Sequence, residues 1–124
     1  ADVTLFATGG ILRDAIQAAE LLKDYGINTG VVSMYSIKPI DKDMIISAVK
    51  ETGGIVTIEE HNIDGGLGSA VAEVCMDSGF IPKKFLRIGI NNQYSSIVGS
   101  QDYLKAHYQM DAIAIVKRVK TLLV

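Results

Sequence analysis

Short apolar runs alternate with longer segments of helical periodicity along this chain, and that alternation limits the folds it can adopt. Parallel strands need crossover connections of a dozen or more residues, usually helices, whereas hairpins need only a few. The spacing therefore predicts right-handed βαβ units and an α/β fold. We expect a three-layer α/β/α sandwich around a mostly parallel sheet of four or five strands. The predicted strands are Val3–Ala7, Asn28–Tyr35, Gly54–Ile58 and Phe85–Ile90.

Apolar spacing and end signals define the helices between these strands. The first helix carries Ile11 and Leu22 on one face, and Gly26 is its predicted C-cap. Asp41 is the predicted N-cap of the second helix. That helix is expected to turn four residues inward, namely Met44, Ile45, Ala48 and Val49. The later helices are predicted at Gly66–Ser78, from Ser100 or Gln101 to Tyr108, and at Asp111–Leu123.

Length, charge and cysteine usage exclude several classes of protein. A chain of 124 residues is expected to form one domain, spanning 1–124. A net charge of -2 argues against nucleic acid as a partner, because phosphate binding needs clustered positive charge. No apolar run approaches the roughly 18 residues of a membrane span, so we expect no membrane partner. The single cysteine, Cys75, excludes an internal disulfide and fits a cytoplasmic location.

The segment Gly54 to Glu73, GIVTIEEHNIDGGLGSAVAE, is the most informative part of the chain. A β-branched run ends in three ionisable residues, a glycine-rich turn follows, and an amphipathic helix begins. Open α/β sheets place ligand and partner contacts at this end of their strands. The candidate site, as an interface or anion-binding loop, comprises Glu60, His61, Ile63, Gly65, Gly66, Leu67, Gly68 and Ser69.

The ionisable residues of this segment have structural interpretations beside the chemical ones. Adjacent strand residues point to opposite faces, so Glu59 and Glu60 are not expected to share one site. His61 titrates in the range useful for acid–base chemistry, but no second histidine lies near it in sequence. No spacing of His, Cys, Asp or Glu suggests a metal site. We expect Cys75 to be an inert core residue.

The glycines of the turn favour two interpretations. Positive φ at Gly66 and Gly68 would allow a sharp entry into the helix. Free N–H groups from Gly66 to Ser69 would attract an anion at the helix start, and the turn at Thr8–Gly10 raises the same possibility more weakly. The dinucleotide fingerprint G-x-G-x-x-G fails at its third position, which is Val71. The sequence around Ser69 also lacks the G-x-S-x-G motif of a serine nucleophile.

EEH, a spacer and GGLGSAVAE resemble the C-terminal domain of transketolase-family enzymes, which depend on thiamine diphosphate. Further similarities follow in the family's order: DVTLFATGG, YGINTGVVSMYSIKPID, FLRIGINNQY and GSQDYLKAHYQMDAIAIVKRVKTLL. The resemblance thus covers nearly the whole chain. Relatives include transketolase, deoxyxylulose-phosphate synthase and the beta subunits of 2-oxo-acid dehydrogenases. EEH with GGLG favours transketolase itself.

The resemblance implies a supporting role for this domain. In this family, thiamine diphosphate and Mg²⁺ are held by other domains of the parent enzyme, so no cofactor-binding, metal or catalytic residue is expected here. The domain helps a homodimer to assemble, and the lone chain is expected not to transfer ketol units between sugar phosphates. The resemblance also implies one antiparallel strand in the sheet. The alternatives are a small-anion-binding regulatory module, the same domain from one of the other relatives and, last, an unrelated flavodoxin-like protein.

Overall fold

A computed structural model describes residues 1–34, 40–59, 66–89 and 112–124 of the chain. The predicted helix from Ser100 or Gln101 to Tyr108 lies outside these residues. Tyr35 and Ile90, the predicted ends of two strands, also lie outside them. The described residues contain four strands and four α-helices, which confirms the predicted α/β class.

The strands form one sheet in which every described pair is parallel. The strands are β1 at Val3–Ala7, β2 at Thr29–Ser33, β3 at Ile55–Ile58 and β4 at Phe85–Ile88. Their order is β2-β1-β3-β4, so the first strand lies inside the sheet and, among the described strands, β2 and β4 lie at the outer positions. Leu5 pairs with Val31 on one side and with Val56 on the other, and Val56 pairs with Leu86, so one apolar row crosses the sheet.

The second and third helices begin within a residue of their predicted starts. A 3₁₀ turn at Gly9–Ile11 leads into α1. The four helices are α1 at Leu12–Lys23, α2 at Lys42–Glu51, α3 at Leu67–Ser78 and α4 at Ala112–Leu123. The C-cap of α1 is Asp24 and not the predicted Gly26, which lies two residues further on with a φ of 75°, in the left-handed region that glycine favours.

Two apolar clusters cover the two faces of the sheet, which gives the predicted three layers. Alternate residues of a strand point to opposite faces, so β1 contributes to both clusters. Val3, Leu5 and Ala7 pack with buried residues of α1 and α4 on one face. Phe6 packs with buried residues of α2 and α3 on the other. A sheet covered on both faces explains why its central strands are almost continuously apolar.

Helix α2 confirms one prediction and corrects another. The Asp41 carboxylate accepts a hydrogen bond from the Met44 N–H at 3.1 Å, so Asp41 is the N-cap. Ile45 and Ala48 are buried as expected. The prediction that Met44 points inward is wrong, because 43% of its surface is exposed. Met44 precedes Ile45 by one residue in the first turn, and its position on the helix turns it away from the face that packs on the sheet.

The antiparallel strand implied by the family resemblance is not among the described residues, and it stays a prediction. None of the helices that the described residues form is long and apolar enough to cross a membrane.

The connections reverse direction at the centre of the sheet. The chain leaves β1 through α1, which packs on one face, and leaves β3 through α3, which packs on the other. Because β1 and β3 are neighbours, their carboxyl ends lie at a topological switch point, where open α/β sheets form their binding crevices. The predicted candidate site follows β3 at this point.

Candidate functional site

The candidate site divides into a described part and a part outside the described residues. Glu60, His61, Ile63 and Gly65 lie outside them. The described part comprises Gly66, Leu67, Gly68 and Ser69, which enter α3. Glu59 joins these residues in space, because it immediately follows β3 at the same edge of the sheet.

Glu59 is directed toward α3 by the alternation of its strand. Ile55 and Thr57 lie on the face that α2 and α3 cover, and a residue two positions further on shares that face. The Glu59 N–H donates to the Ile88 carbonyl at 3.1 Å, which continues the pairing between β3 and β4 by one residue. The side chain is only 4% exposed.

The Glu59 carboxylate caps the N-terminus of α3. Its Oε1 accepts the Leu67 N–H at 3.0 Å, and its Oε2 accepts the Gly68 N–H at 3.0 Å. Hydrogen bonds to a charged group contribute about 1.5–3 kcal/mol each, and the positive end of the helix dipole adds to this attraction. Both oxygens are therefore paired, which accounts for a charged group in a nearly dry position.

This contact changes the interpretation of the glycine-rich turn. The sequence predicts free N–H groups at the start of α3, and for Leu67 and Gly68 that prediction is wrong. Both groups already donate to a carboxylate of the same chain. The helix N-terminus does hold an anion, but the anion is the side chain of Glu59.

Gly68 lies where α3 packs directly on the sheet. A methyl group at this position would come within 2.6 Å of Arg87 Cδ and 2.9 Å of Thr57 Oγ1. Such distances are well inside van der Waals contact, so the helix can approach the sheet this closely only with a glycine at position 68. Thr57 and Arg87 are paired neighbours on β3 and β4, which places both side chains beneath the same point of α3.

The prediction of positive φ at Gly66 and Gly68 is wrong. Gly66 has a φ of -95°, and Gly68 lies within α3. The glycines with positive φ in the described chain are Gly9, Gly26 and Gly79. Gly79 ends α3 in the left-handed conformation, and its N–H donates to the Cys75 carbonyl.

Ser69 takes part in a polar contact above the same strand. The Arg87 Nη1 donates to the Ser69 Oγ at 3.4 Å, while the alkyl part of Arg87 lies next to Gly68. The alkyl chain of Arg87 thus covers the first turn of α3, and its guanidinium group donates a hydrogen bond to the same turn. Thr57 lies deeper, and its buried hydroxyl has no hydrogen-bond partner among the described residues.

A buried carboxylate also lies near the start of α1, on the other side of the switch point. Asp14 is in the first turn of α1 and is 8% exposed. The two helices that begin at this edge, α1 and α3, therefore each have an acidic side chain of this chain close to their N-terminus.

Cys75 is a core residue, as the sequence predicts. It is 3% exposed and packs among residues of α3 and its neighbours. Burial raises the pKa of the Cys75 thiol above its ordinary value of 9.0, because a thiolate would lose its hydration there. Within the described ranges, no three His, Cys, Asp or Glu side chains form a group that could hold a metal ion.

The role of Glu59 was missed in the sequence, although two signals point to it. Gly66, which precedes α3, has no side chain to cap the helix, so the first N–H groups need an acceptor from elsewhere. Glu59 lies two residues after Thr57, so its side chain points to the same face of the sheet, toward α3. Sequence reasoning grouped Glu59 with the ionisable residues at the strand end and did not connect it with the uncapped helix.

These features define a doubly wound α/β domain in which the Glu59 carboxylate caps the helix that begins at the switch point. Comparisons with known proteins then identify the family. The profile of the family described as "Transketolase, C-terminal domain" matches residues 1–115. The chain belongs to that family.

Two relatives are similar to this chain over nearly its whole length. The chain is 44% identical over 118 residues to a Methanocaldococcus jannaschii protein provisionally named a transketolase C-terminal section, matching 95% of this chain and 36% of the relative. It is 39% identical over 120 residues to 1-deoxy-D-xylulose-5-phosphate synthase 1 of Geobacter metallireducens, matching 97% of this chain and 19% of that enzyme. The chain therefore spans little more than a third of the first relative and about a fifth of the second.

Solved structures show the same fold. One described as "Split gene transketolase, inactive beta4 tetramer" superposes with a TM-score of 0.84 at 38% identity, covering 98% of this chain and 39% of the other. Transketolase structures from Pichia stipitis superpose with a TM-score of 0.66 at 16% identity, covering 99% of this chain and 16% of theirs. At 16% identity, the similarity to the Pichia stipitis structures concerns the fold alone.

Proposed function

We propose that this chain is the C-terminal domain of a transketolase-like enzyme that transfers two-carbon ketol units between sugar phosphates. In this proposal the domain supplies contacts to other domains or subunits of a cytoplasmic homodimer. Thiamine diphosphate and Mg²⁺ are bound elsewhere in the parent enzyme. The observation that carries the proposal is the 44% identity to a transketolase C-terminal section across 95% of the chain.

The chemistry of the described site supports an interface role over catalysis. A general acid or base must be able to reach the group with which it exchanges a proton. Glu59 is buried, and both of its oxygens are bonded to the backbone of α3. Ser69 accepts a hydrogen bond from Arg87. The polar groups of the described site thus serve to fix α3.

The segment Glu60 to Leu67 is the proposed contact with the rest of the enzyme. Its composition combines charged groups and Asn62 with Ile63 and Leu67, a mixture suited to a polar rim around a small apolar contact. In the structure Leu67 is fully buried within the domain, so the apolar contact reduces to Ile63. The segment connects a buried strand to a helix that Glu59 holds in place.

The regulatory-module alternative is less well supported. It requires free N–H donors at the start of α3, and two of the four predicted donors are occupied by Glu59. The Glu59 carboxylate already occupies the start of α3, where an incoming anion would bind.

The synthase alternative rests on the 39% identity to the Geobacter metallireducens enzyme. A paired assay separates the two reactions. The complete enzyme that contains this domain is supplied either with a ketose phosphate donor and an aldose phosphate acceptor, or with pyruvate and glyceraldehyde 3-phosphate. Ketol transfer in the first mixture is the expected result. Deoxyxylulose phosphate formation in the second mixture alone would replace the proposal with the synthase.

Variants of the loop test its proposed contact role. His61→Ala and Ile63→Ala should weaken the dimer of the complete enzyme more than they lower the stability of the lone chain. Sedimentation gives the dissociation constant of the dimer, and thermal unfolding of the 124-residue chain gives its stability. Unchanged dissociation with an intact fold would contradict the interface role.

A further inference from the structure

Positive and negative charges are separated in this domain. All ten acidic residues that the structure describes lie in residues 1–34, 40–59 and 66–80, together with four basic residues. The described segments 81–89 and 112–124 hold six basic residues and no acidic one. Three of the six belong to α4, and we call them the basic face: Lys117, Arg118 and Lys120. A chain with a net charge of -2 thus carries a positive surface on one helix.

We propose that the basic face binds an acidic, partly apolar polypeptide segment of another domain or subunit of the parent enzyme. This inference rests on the proposed function, in which the domain supplies contacts to the rest of the enzyme. It adds a second contact surface, separate from the segment Glu60 to Leu67, and the chemistry of the partner that this surface fits.

A groove on one side of the basic face combines charge with exposed apolar surface. It has a volume of ≈ 500 Å³ and is lined by Tyr25 and Ile113, which are 58% and 74% exposed. The Lys120 Nζ lies 3.6 Å from the centre of the Tyr25 ring, which holds this cation beside the apolar surface. Apolar surface rimmed by polar groups is typical of a contact with another protein.

A second groove lies between α4 and β4. Its volume is ≈ 450 Å³, its apolar lining comes from Leu86 and Leu122, and its charged lining comes from Lys117 and Arg118. Lys117 lines both grooves, so its positive charge lies between two strips of apolar surface. An occupant of these grooves therefore needs carboxylates interspersed with apolar side chains.

The charge of the basic face is not neutralised within the described part of the domain. Lys117 and Arg118 form no ion pair with a described carboxylate, and Lys120 packs on an aromatic ring. Lys23, by contrast, is paired with Glu20 at 3.3 Å. Opposite charge brought to the basic face from outside the domain would find these cations without competing carboxylates, which favours an acidic partner.

The basic face lies at the edge of the sheet where the strands begin. A side chain at Gly54, just before β3, would meet Leu122 and Leu123, so the end of α4 is at this edge. The three stretches outside the described residues each follow the carboxyl end of a strand and precede the start of a helix. The residues that flank them are thus at the opposite edge, and the inference depends on none of them.

An acidic polypeptide fits this surface better than a nucleic acid. Nucleic acid binding depends on contacts between many cations and phosphates, whereas here three cations border apolar grooves. The chain spans 36% of the Methanocaldococcus jannaschii relative and 19% of the Geobacter metallireducens synthase. Most of an enzyme of this kind therefore lies outside the domain and provides the surface from which the acidic segment comes.

The test measures how fast Lys117 is acetylated in the complete native enzyme. Lys42 of α2 is the matched control, since both lysines are exposed within the domain. With each rate divided by that in the unfolded enzyme, Lys117 should react about tenfold more slowly than Lys42, as for a contact of about 1.4 kcal/mol. Mass spectrometry of the digested enzyme gives both rates.

Charge reversal and salt test the chemistry of the contact. In Arg118→Glu/Lys120→Glu, the rate at Lys117 should rise toward that of Lys42, because an acidic partner is repelled. Lys42→Glu should leave the rate at Lys117 unchanged. Salt at about 1 M should also accelerate the reaction of Lys117 in the wild-type enzyme, because it shortens the range of attraction between charges.

Three results would overturn the inference. Equal protection of Lys117 and Lys42 would show that nothing covers the basic face. Protection that neither salt nor charge reversal changes would show an apolar contact without an acidic partner. Protection that disappears after nuclease treatment would identify nucleic acid as the occupant.

The assays of the complete enzyme keep this inference distinguishable from the proposed function. An enzyme that transfers ketol units while its Lys117 reacts as fast as Lys42 retains the proposed function and loses the acidic contact. An enzyme that forms deoxyxylulose phosphate alone, with Lys117 protected in the expected salt-sensitive way, loses the proposed reaction and retains the contact.

Discussion

At the residue scale, Gly66 and Gly68 show that identical residues in one turn serve different purposes. Sequence reasoning assigned positive φ to both. Gly66 has a φ of -95°, which many residues adopt, whereas Gly68 is needed because the sheet lies directly beneath it. A close approach of this kind depends on where Thr57 and Arg87 point, and the local sequence of the turn carries no information about either.

Gly68→Ala should destabilise the domain by about 1–3 kcal/mol, because its methyl group overlaps Arg87 and the buried Thr57. The matched control is Gly30→Ala in β2. A methyl group there meets Thr4 Oγ1 at 3.7 Å, an ordinary contact, so its effect should stay within about 0.5 kcal/mol. Denaturant unfolding of the two variants gives both values. Equal stability of Gly68→Ala and wild type would show that α3 does not pack this closely.

Cys75 should react with thiol reagents only when the domain unfolds. The thiolate is the reactive form, and burial both shields the sulfur and raises its pKa above 9.0. The native state therefore binds the thiol proton more tightly than the unfolded chain. This contribution to stability is present below pH 9.0 and is lost as the pH rises through the higher native pKa.

Labelling with a chromogenic disulfide at neutral pH measures this protection. The native chain should label at the rate at which it opens, and the chain in denaturant should label at once. Rapid labelling of the native chain would contradict the buried position of Cys75.

At the element scale, α2 and α3 begin by different means. The start of α2 could be predicted, because Asp41 is a cap in the expected position and acts on a residue three positions away. The start of α3 was predicted from its glycines and apolar spacing, but its cap was missed, since the acceptor comes from the end of the preceding strand. Local signals predict local contacts, and the bonds from Glu59 depend on how β3 and α3 pack.

Asp41→Ala should destabilise the domain by about 1 kcal/mol, because the N-cap bond to Met44 is lost. Lys42→Ala is the control, since Lys42 is exposed in the first turn of the same helix and should change stability by less than about 0.5 kcal/mol. Thermal unfolding of both variants provides the comparison. Equal melting temperatures for the two variants would show that the Asp41 bond contributes nothing to the start of α2.

At the scale of the whole molecule, alternating strands and helices predict three layers and a parallel sheet, and both are confirmed. The strand order could not be predicted from that pattern. All four strands are apolar, and hydrophobic pattern alone does not say which of them are neighbours. The order places β3 beside β1, which creates the switch point and brings the ends of β3 and β4 beneath α3.

The family resemblance identified the class of protein, which the chemistry of individual residues did not. It named the C-terminal domain of transketolase-family enzymes, and the family profile confirms that assignment over residues 1–115. Residue chemistry alone predicted an anion site at α3, where the structure has Glu59. The difference arises because the family likeness extends along the chain, whereas the anion prediction depended on the N–H groups of one helix start. The acceptor of two of these groups, Glu59, lies eight and nine positions earlier in the sequence.

The central claim is that this chain folds as a domain but contributes no catalysis of its own. Its most direct test measures ketol transfer by the purified 124-residue chain with thiamine diphosphate and Mg²⁺, first alone and then combined with the remainder of its enzyme. The chain alone should unfold cooperatively, bind no thiamine diphosphate in a calorimeter and show no transfer, and activity should appear only in the combined sample. Ketol transfer by the chain alone would contradict the claim.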